Sequence, residues 1–564
     1  MGIGVVLLER GLLTREDLES ALTEQRATGE RLDRVLLRLG LVDREHVLDA
    51  IGEQFHMPVV DLATVEVERS VLEALPAKLV YRQNCVPIAL EGGRLRVATS
   101  DPFELSVLDE LRMLTGCAIE LVLADEEELH KFIRANYGVG GDTLDELDGG
   151  EHGGRKGPAS PDAEAQAEIE QAQEASVVKL VNDVLAEAIT ERATDVHIEP
   201  YERELIVRYR IDGVLQRANV PATINRFGAA IVSRLKIMAN LNIAEKRKPQ
   251  DGRITFRQRR KGRGIEEFDL RLSVIPMLHG EGIVLRVLNK SAVMLTLDDL
   301  GMPSRVQTRW DRLITRPHGI VLVTGPTGSG KSTTLYASLN RIVSDAVKVI
   351  TVEDPVEYHV PGVNQIQVNT QTGLSFAAGL RSILRHDPDV VMVGEIRDKE
   401  TAETAIQASL TGHLVFSTLH TNDACGAATR LLDMGVEPFL VSSSVEGVLA
   451  QRLVRRVCAE CASEYTPDRA DLPPDFELPE GGTLTRGSGC RACRQTGYRG
   501  RIGVYELLRL SDELRAMVMA RKNAPEIAAH AFREGELCTL KQDGYAKARA
   551  GLTTIAEVLR AVSV

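Results

Sequence analysis

"GIVLVTGPTGSGKSTTLYASLNRIV", residues 319–343, begins as an apolar, β-branched run and ends as a helix former, with a glycine-rich turn between. The turn, Gly325 to Ser332, fits G-x-x-x-x-G-K-[ST] in full. Such glycines let backbone N–H groups approach and cradle phosphates at a helix N-terminus. Gly325, Pro326, Thr327, Gly328, Ser329, Gly330, Lys331, Ser332 and Thr333 are therefore candidate nucleotide-binding residues. Lys331 is suited to neutralise β- and γ-phosphates, and the Ser332 hydroxyl to ligate Mg²⁺. A plain glycine-rich turn is the alternative, but it does not require the strand before and the helix after.

Two acidic stretches follow. "VITVEDPVEY" (349–358) reads as a strand ending in Glu353 and Asp354, with Glu357 past a proline. "DVVMVGEIRD" (389–398) reads as a strand ending in Glu395. Acids at the carboxyl ends of parallel strands beside a phosphate loop can hold Mg²⁺ or orient water. Further on, "TGHLVFSTLHTND" (411–423) holds His413 and His420 around a strand-like run. Their odd separation sends them to opposite strand faces, which makes a poor metal pair.

At 564 residues the chain exceeds one core; a prior of roughly 150 residues per domain suggests about four. Residues 1–55 repeat with a period of 29: Leu7, Gly11, Glu16 and Gln25 are answered by Leu36, Gly40, Glu45 and Gln54. Thr14 and Asp43 occupy equivalent helix N-cap positions, so two helical pairs are expected. Residues 56–137 read as a small α/β domain, and 138–173, rich in glycine and acids, as a linker. An α/β domain is expected at 174–290, a short linker at 291–300, and a parallel α/β core at 301–455. Residues 456–500 carry the cysteine pairs, and 501–564 read as a helical region.

Only seven uncharged residues separate Met1 from Glu9, too few for a signal peptide, and no stretch approaches a membrane span. Any membrane role is expected to be peripheral. The net charge of −13 argues against general nucleic-acid binding. The basic run Lys246–Arg263 has nine cations against one acid but only Phe256 as an aromatic. "RRKGRG" (259–264) reads as the tip of a hairpin between "ITFRQ" and "EEFDLRLS", solvated or facing acidic headgroups. Four of the eight cysteines form "CAEC" (458–461) and "CRAC" (490–493). Cys458, Cys461, Cys490 and Cys493 suit four-thiolate, tetrahedral Zn²⁺ in a structural site.

Together, the phosphate loop, "ITVEDPVEY", "LRSILRHDPDVVMVGEIRD" and "TGHLVFSTLHTND" resemble the secretion ATPases of type II secretion and type IV pilus assembly, closest to the type II branch. The similarity covers most of residues 174–564. It implies a RecA-like P-loop core, an α/β multidomain chain, and a mixed α/β (PAS-like) domain ahead of the core. It implies ATP hydrolysis with Mg²⁺ by a homo-hexamer held peripherally on the cytoplasmic side of an inner membrane. Partners would be platform and cytoplasmic-domain-bearing membrane proteins, not nucleic acid. Within this resemblance Glu395 acts on Mg²⁺ and its waters, Glu357 is the general base, and His420 senses the γ-phosphate. His413 supports the strand.

The resemblance also brings Arg271 ("FDLRLS") and Arg286 ("IVLRVL") to the nucleotide from the preceding domain. Each is a lone cation in an apolar strand, costly if inward-facing without an anion; a salt bridge is the alternative. Arg208 and Arg210 are weaker candidates. Arg381, Arg385, Arg397 and Arg430 match positions for subunit contact or conformational change. The metal finger marks assembly and secretion motors rather than retraction motors. The N-terminal repeat resembles a cyclic-di-GMP-binding domain. That pattern starts Arg-Leu-Gly where this chain has Gly2-Ile3-Gly4, and wants Leu-Gly at Leu32-Asp33. A lost cation and an added carboxylate oppose an anionic dinucleotide, so protein docking is the expected role.

Overall fold

The computed structural model describes residues 3–103, 105–140, 174–260, 264–289 and 295–562. Most of the expected 138–173 linker lies outside them. The chain divides into two compact units, Met1–Leu288 and Asn289–Val564.

In the first unit the repeat forms helices Ile3–Glu9, Arg15–Thr28, Leu32–Arg38 and Arg44–Phe55. Gly11 and Gly40 adopt φ of 69° and 67° at the equivalent turns, a region open to glycine at little steric cost. Thr14 caps its helix, its hydroxyl accepting from the Asp17 N–H at 3.2 Å. Asp43 stands at the matching position without a side-chain capping bond. Strands β1 (Cys85–Glu91), β2 (Arg94–Thr99) and β3 (Ala118–Leu123) form a small sheet.

Gly138–Gly140 is not free linker: Val139 is buried with Leu180 and Val181, and its N–H donates to the Asn219 carbonyl at 2.8 Å. Helix Ala175–Thr190 then leads into β4 (Asp195–Pro200), β5 (Leu205–Ile211), β6 (Val214–Arg217), β7 (Gln250–Arg260), β8 (Gly264–Met277) and β9 (Gly280–Asn289). Their order is β6-β5-β4-β9-β8-β7. Strand alternation places Val196, Ile198, Val207, Tyr209, Leu270, Leu272 and Leu285 in one core with helices Ala175–Thr190 and Gly228–Met238. β7 and β8 form the long hairpin expected of the basic run, Arg260 opposite Gly264; its tip, 261–263, lies outside the described residues.

The second unit is built on β10 (Gly319–Thr324), β11 (Val349–Glu353), β12 (Val363–Gln367), β13 (Val390–Val393), β14 (Leu414–Leu419), β15 (Val445–Val457) and β18 (Tyr498–Arg509). β16 (Ala462–Tyr465) and β17 (Leu484–Gly487) form a separate two-stranded ribbon. The main sheet runs β12-β11-β13-β14-β10-β15-β18, parallel except for β18. All six residues of β10 and of β14 are buried, because helices cover both faces of a parallel sheet. One face packs Ile320, Leu322, Val391 and Val415; the other packs Val321, Val323, Phe416 and Trp310. Each large apolar side chain so buried contributes ~1.5–3 kcal/mol.

Two expected boundaries change. Leu297–Leu300 is a 3₁₀ turn with a Thr296/Asp299 capping box, and Leu297 and Leu300 are buried beside Trp310. That half of the expected 291–300 linker therefore belongs to the second core. The expected helical region from 501 begins instead as β18, whose continuous buried run Gly503–Leu508 completes the main sheet; helices follow from Asp512.

Candidate active site

β10 ends at Thr324 and helix Lys331–Ile342 begins seven residues later, so the glycine-rich loop lies at the carboxyl end of the parallel sheet. Ligand crevices of open α/β sheets occupy that edge. Lys331 Nζ donates to the carbonyls of Gly325 (2.8 Å) and Pro326 (3.0 Å). Burial pushes this ammonium down to about 8, with Arg452 acting the same way and Glu395 opposing. A desolvated cation felt by a nearby carboxylate suits a phosphate site. Ser332 is exposed in the first turn of the helix. Its hydroxyl and the Glu395 carboxylate are hard oxygen donors of the kind Mg²⁺ takes.

Glu395 follows β13 and meets His420, which follows β14: His420 Nε2 lies 3.2 Å from Glu395 Oε2. Two hydroxyls in an otherwise apolar strand set this approach. Ser417 Oγ donates to the Val393 carbonyl (2.8 Å), and Thr418 Oγ1 to the Gly394 carbonyl (2.7 Å). The Ile396 N–H returns a bond to the Thr418 carbonyl at 3.0 Å. Arg397 also reaches Glu395, and lies 3.5 Å from Asp354. The resemblance assigns Arg397 to subunit contact or conformational change; within this chain it engages the acid at the site.

His413 and His420 flank β14 rather than lying within it. His413 Nδ1 lies 2.8 Å from the Ala408 carbonyl and 3.1 Å from Thr411 Oγ1, closing the end of helix Lys399–Leu410. That is a structural histidine.

Glu353 closes β11, and Asp354 and Glu357 follow it. Glu353 is buried and accepts from Thr351 Oγ1 (2.5 Å), Gln365 Nε2 (3.1 Å) and the Tyr336 hydroxyl. Burial raises the Tyr336 phenol, and Glu353 adds to the rise. The same hydroxyl accepts the Glu357 N–H at 3.2 Å. Glu353 is thus an anchor, and Tyr336 ties it to the segment carrying Glu357 along the phosphate-loop helix.

Arg271 and Arg286, in the first unit, do not face its core. Their neighbours Leu270, Leu272 and Leu285 are buried, so alternation turns both arginines to the sheet's polar face. Arg286 is half exposed and lies 3.6 Å from Asp195. Arg208 pairs with Glu199, and Arg210 lies 3.6 Å from Asp195.

The ligand atoms of Cys458, Cys461, Cys490 and Cys493 all lie within 4.8 Å of one another, and none is in a disulfide. The Sγ separations are 3.8 Å (458–490), 3.8 Å (461–493) and 3.7 Å (490–493). A tetrahedral ion with metal–sulfur bonds of about 2.3 Å requires sulfurs roughly 3.8 Å apart. The fit is close. The N–H groups of Cys490 and Gly497 donate to Cys493 Sγ at 3.1 and 3.2 Å. Against the upward push of burial, they help hold that thiol down to about 7. The donor set is that of a closed, structural metal site.

Sequence reasoning missed Gln451, Arg452 and Glu506, all buried on β15 and β18 near these loops. The signal was available: a polar pair inside the apolar run "VLAQRLV". Among the described residues no helix is long and apolar enough to cross a membrane.

The family model described as type II/IV secretion system protein matches residues 170–560, and an MshEN domain matches 55–143. The chain is 41% identical to the type IV pilus assembly ATPase PilB of Myxococcus xanthus, over 99% of this chain and 98% of that protein. It is 46% identical to type II secretion system protein E of Pseudomonas aeruginosa, over 86% of this chain and 95% of that protein. Among solved structures, the pilus retraction motor PilT with bound ADP is 27% identical, covering 67% of this chain and 96% of that one, with a TM-score of 0.43. With a phosphate loop, a strand-end acid and a histidine gathered at one sheet edge, and with matches of this extent, the chain belongs to the type II/IV secretion system protein family and is an ATPase.

Proposed function

We propose that this ATPase powers type II protein secretion, working as a homo-hexamer held peripherally on the cytoplasmic face of an inner membrane. The observation that carries the catalytic part is the convergence of Lys331, Glu395 and His420 at the carboxyl end of the sheet. Loop N–H groups and Lys331 bind the β- and γ-phosphates of ATP. Ser332 and Glu395 would hold Mg²⁺, which would supply positive charge against that developing on the transferred phosphoryl group. Glu357 accepts a proton from the attacking water, and His420 reports the γ-phosphate to Glu395. Arg271 and Arg286 add positive charge in the transition state. The tetracysteine cluster holds Zn²⁺, which braces the fold and takes no part in hydrolysis.

Motion driven by hydrolysis passes to a platform protein and to membrane proteins with cytoplasmic domains; nucleic acid is not a partner. The N-terminal repeat serves protein docking rather than cyclic-di-GMP. Its Asp33 is buried and ion-paired with Arg31 at 2.8 Å, and a carboxylate in place of the pattern's glycine opposes an anionic ligand.

Type IV pilus assembly is the second reading, favoured by the near full-length match to the Myxococcus PilB. A chromosomal Lys331→Ala replacement decides. Loss of secreted enzymes with pili intact supports type II secretion; loss of pili with secretion intact supports the second reading. Stimulation of turnover by DNA or RNA would overturn both.

A further inference from the structure

β15 passes directly behind both loops of the ATPase centre. Thr324, the last residue of β10, is in register with Ala450 of β15, so Gln451 stands level with Gly325 where the phosphate loop leaves the sheet. Gln451 is 2% exposed, and its Oε1 accepts from Thr334 Oγ1 at 2.7 Å in the first turns of the phosphate-loop helix. It also explains two glycines. A Cβ on Gly325 would sit 2.5 Å from the Gln451 carbonyl oxygen, and one on Gly330 would sit 2.7 Å from Gln451 Nε2. Both residues also have φ above +90°, at 147° and 91°, where side chains are strained. Gln451 therefore touches the loop at its start, at its end and in the helix it leads into.

The next residue turns the other way. Arg452 is buried, and its Nη2 donates to the Asn422 carbonyl (2.9 Å) and lies 3.3 Å from Asn422 Oδ1. Glu506, on the neighbouring β18, accepts the Ala424 N–H at 2.8 Å and the Leu540 N–H at 3.3 Å. The segment His420–Ala424 is thus gripped at Asn422 by a cation and at Ala424 by a carboxylate. Burying a guanidinium carries a heavy desolvation cost before its contacts are counted, and an aliphatic side chain would fill a strand position without that penalty. A strand that needed only packing would not carry one.

We infer that Gln451 and Arg452 are positioning residues of the ATPase centre, Gln451 for the phosphate loop and Arg452 for the loop that carries His420. Neither touches the nucleotide in this assignment. Gln451 acts through the loop's shape and governs nucleotide binding. Arg452 acts through Asn422 on His420 and Glu395 and governs turnover. The inference rests on the reading of Gly325–Ser332 as the phosphate site.

The test uses the full chain and follows ATP turnover, binding of a fluorescent ATP analogue, thermal midpoint and amide hydrogen exchange. Gln451→Leu keeps bulk but cannot accept from Thr334; it should weaken nucleotide binding about tenfold and leave kcat at saturation within about threefold. Gln451→Ala serves if the leucine variant does not fold. Arg452→Gln should show the reverse split, kcat down about tenfold with binding within about threefold, and Arg452→Lys should restore part of that loss. Exchange at the 422–424 amides should quicken in Arg452→Gln with the β10 and β13 amides unchanged. Equal losses of binding and kcat in both variants, or faster exchange throughout the second unit, would overturn the inference in favour of a general packing role. Lys331→Ala separates the two levels. If it binds nucleotide normally, the phosphate-site reading fails; if it loses binding while the Gln451 variants keep it, only the positioning role fails.

Discussion

His420 Nε2 lies 3.2 Å from Glu395 Oε2, joining the ends of two adjacent parallel strands into one polar pair. Arg397 engages the same carboxylate, so Glu395 is held between an imidazole and a guanidinium. Glu395→Ala should lower ATP turnover by about 10²–10³, the scale of losing a group that organises transition-state charge. His420→Ala should lose less, because Arg397 still orients the carboxylate. Steady-state phosphate release with a parallel binding measurement checks both. Near-normal turnover in Glu395→Ala would move the metal-organising role elsewhere.

Lys331 sets a pH dependence. Burial brings its ammonium down to about 8, whereas bound phosphates favour the charged form. Binding is therefore accompanied by proton uptake once the pH exceeds about 8. The sign follows: affinity is level below pH 8 and falls as pH rises through it, by up to about tenfold per unit. Titrating a fluorescent ATP analogue from pH 7 to 9.5 measures this. Affinity that stayed flat across that range would mean Lys331 remains fully charged without the nucleotide.

How far the site was legible depended on whether chemistry or packing wrote the residue. The loop 325–332, the acid at 395 and the four cysteines announce themselves because phosphate and metal ligation restrict residue type at fixed spacing. Only the resemblance told Glu353 and Glu357 apart in sequence. The Tyr336 hydroxyl and the Thr351 and Gln365 contacts show Glu353 to be an anchored acid. Only the resemblance told His413 and His420 apart in sequence; the contact of His413 with the Ala408 carbonyl ties it to a helix end. Arg271 and Arg286 each sit in an apolar run, and register puts both on the sheet face away from the apolar core, Arg286 the more exposed. β18 was missed for a similar reason, since its pairing partner β15 is more than 40 residues away in sequence and no local signal encodes that pairing.

The cysteine cluster predicts about one zinc per chain. Four sulfurs spaced 3.7–3.8 Å along three pairs match a single tetrahedral ion. Replacing Cys458 with Ser should abolish the stoichiometric metal and loosen residues 458–500 first, seen as proteolysis or fast exchange confined to that segment. Metal analysis that finds none, or mass spectrometry that finds two disulfides, would refute the assignment.

Glu557 should make the second unit acid-sensitive. Burial pushes its carboxyl up, but Arg455 (2.6 Å) and Arg560 (2.7 Å) together hold it down to about 2. A carboxyl depressed from about 4.5 contributes stability above that value and loses it as pH falls from about 4.5 towards 2. Arg560 is half exposed, so water screens its share, and the contribution at neutral pH is about 2 kcal/mol. Glu557→Gln should lower the denaturation midpoint at pH 7 and flatten its decline between pH 4.5 and 2. An unchanged acid profile would place the sensitive group elsewhere.

The last prediction concerns the arginines of the first unit. Arg271 lies on the polar face of β8, opposite Arg253 on β7, and Arg286 lies on β9 within 3.6 Å of Asp195. Arg286 thus has a local counter-charge. Arg271→Ala should bind ATP almost normally yet hydrolyse it about 10²–10³ more slowly, because an added cation matters most as charge develops in the transition state. Arg271→Lys should recover little, since a point charge lacks the planar fork that matches phosphoryl oxygens. Mixing Arg271→Ala with Lys331→Ala subunits adds a second test. Recovered turnover in verified mixed rings means that one active site draws these residues from two chains, whereas no recovery means that each chain supplies both. Turnover should also rise steeply with protein concentration if two chains are needed. A fully active Arg271→Ala enzyme would remove this residue from the catalytic set.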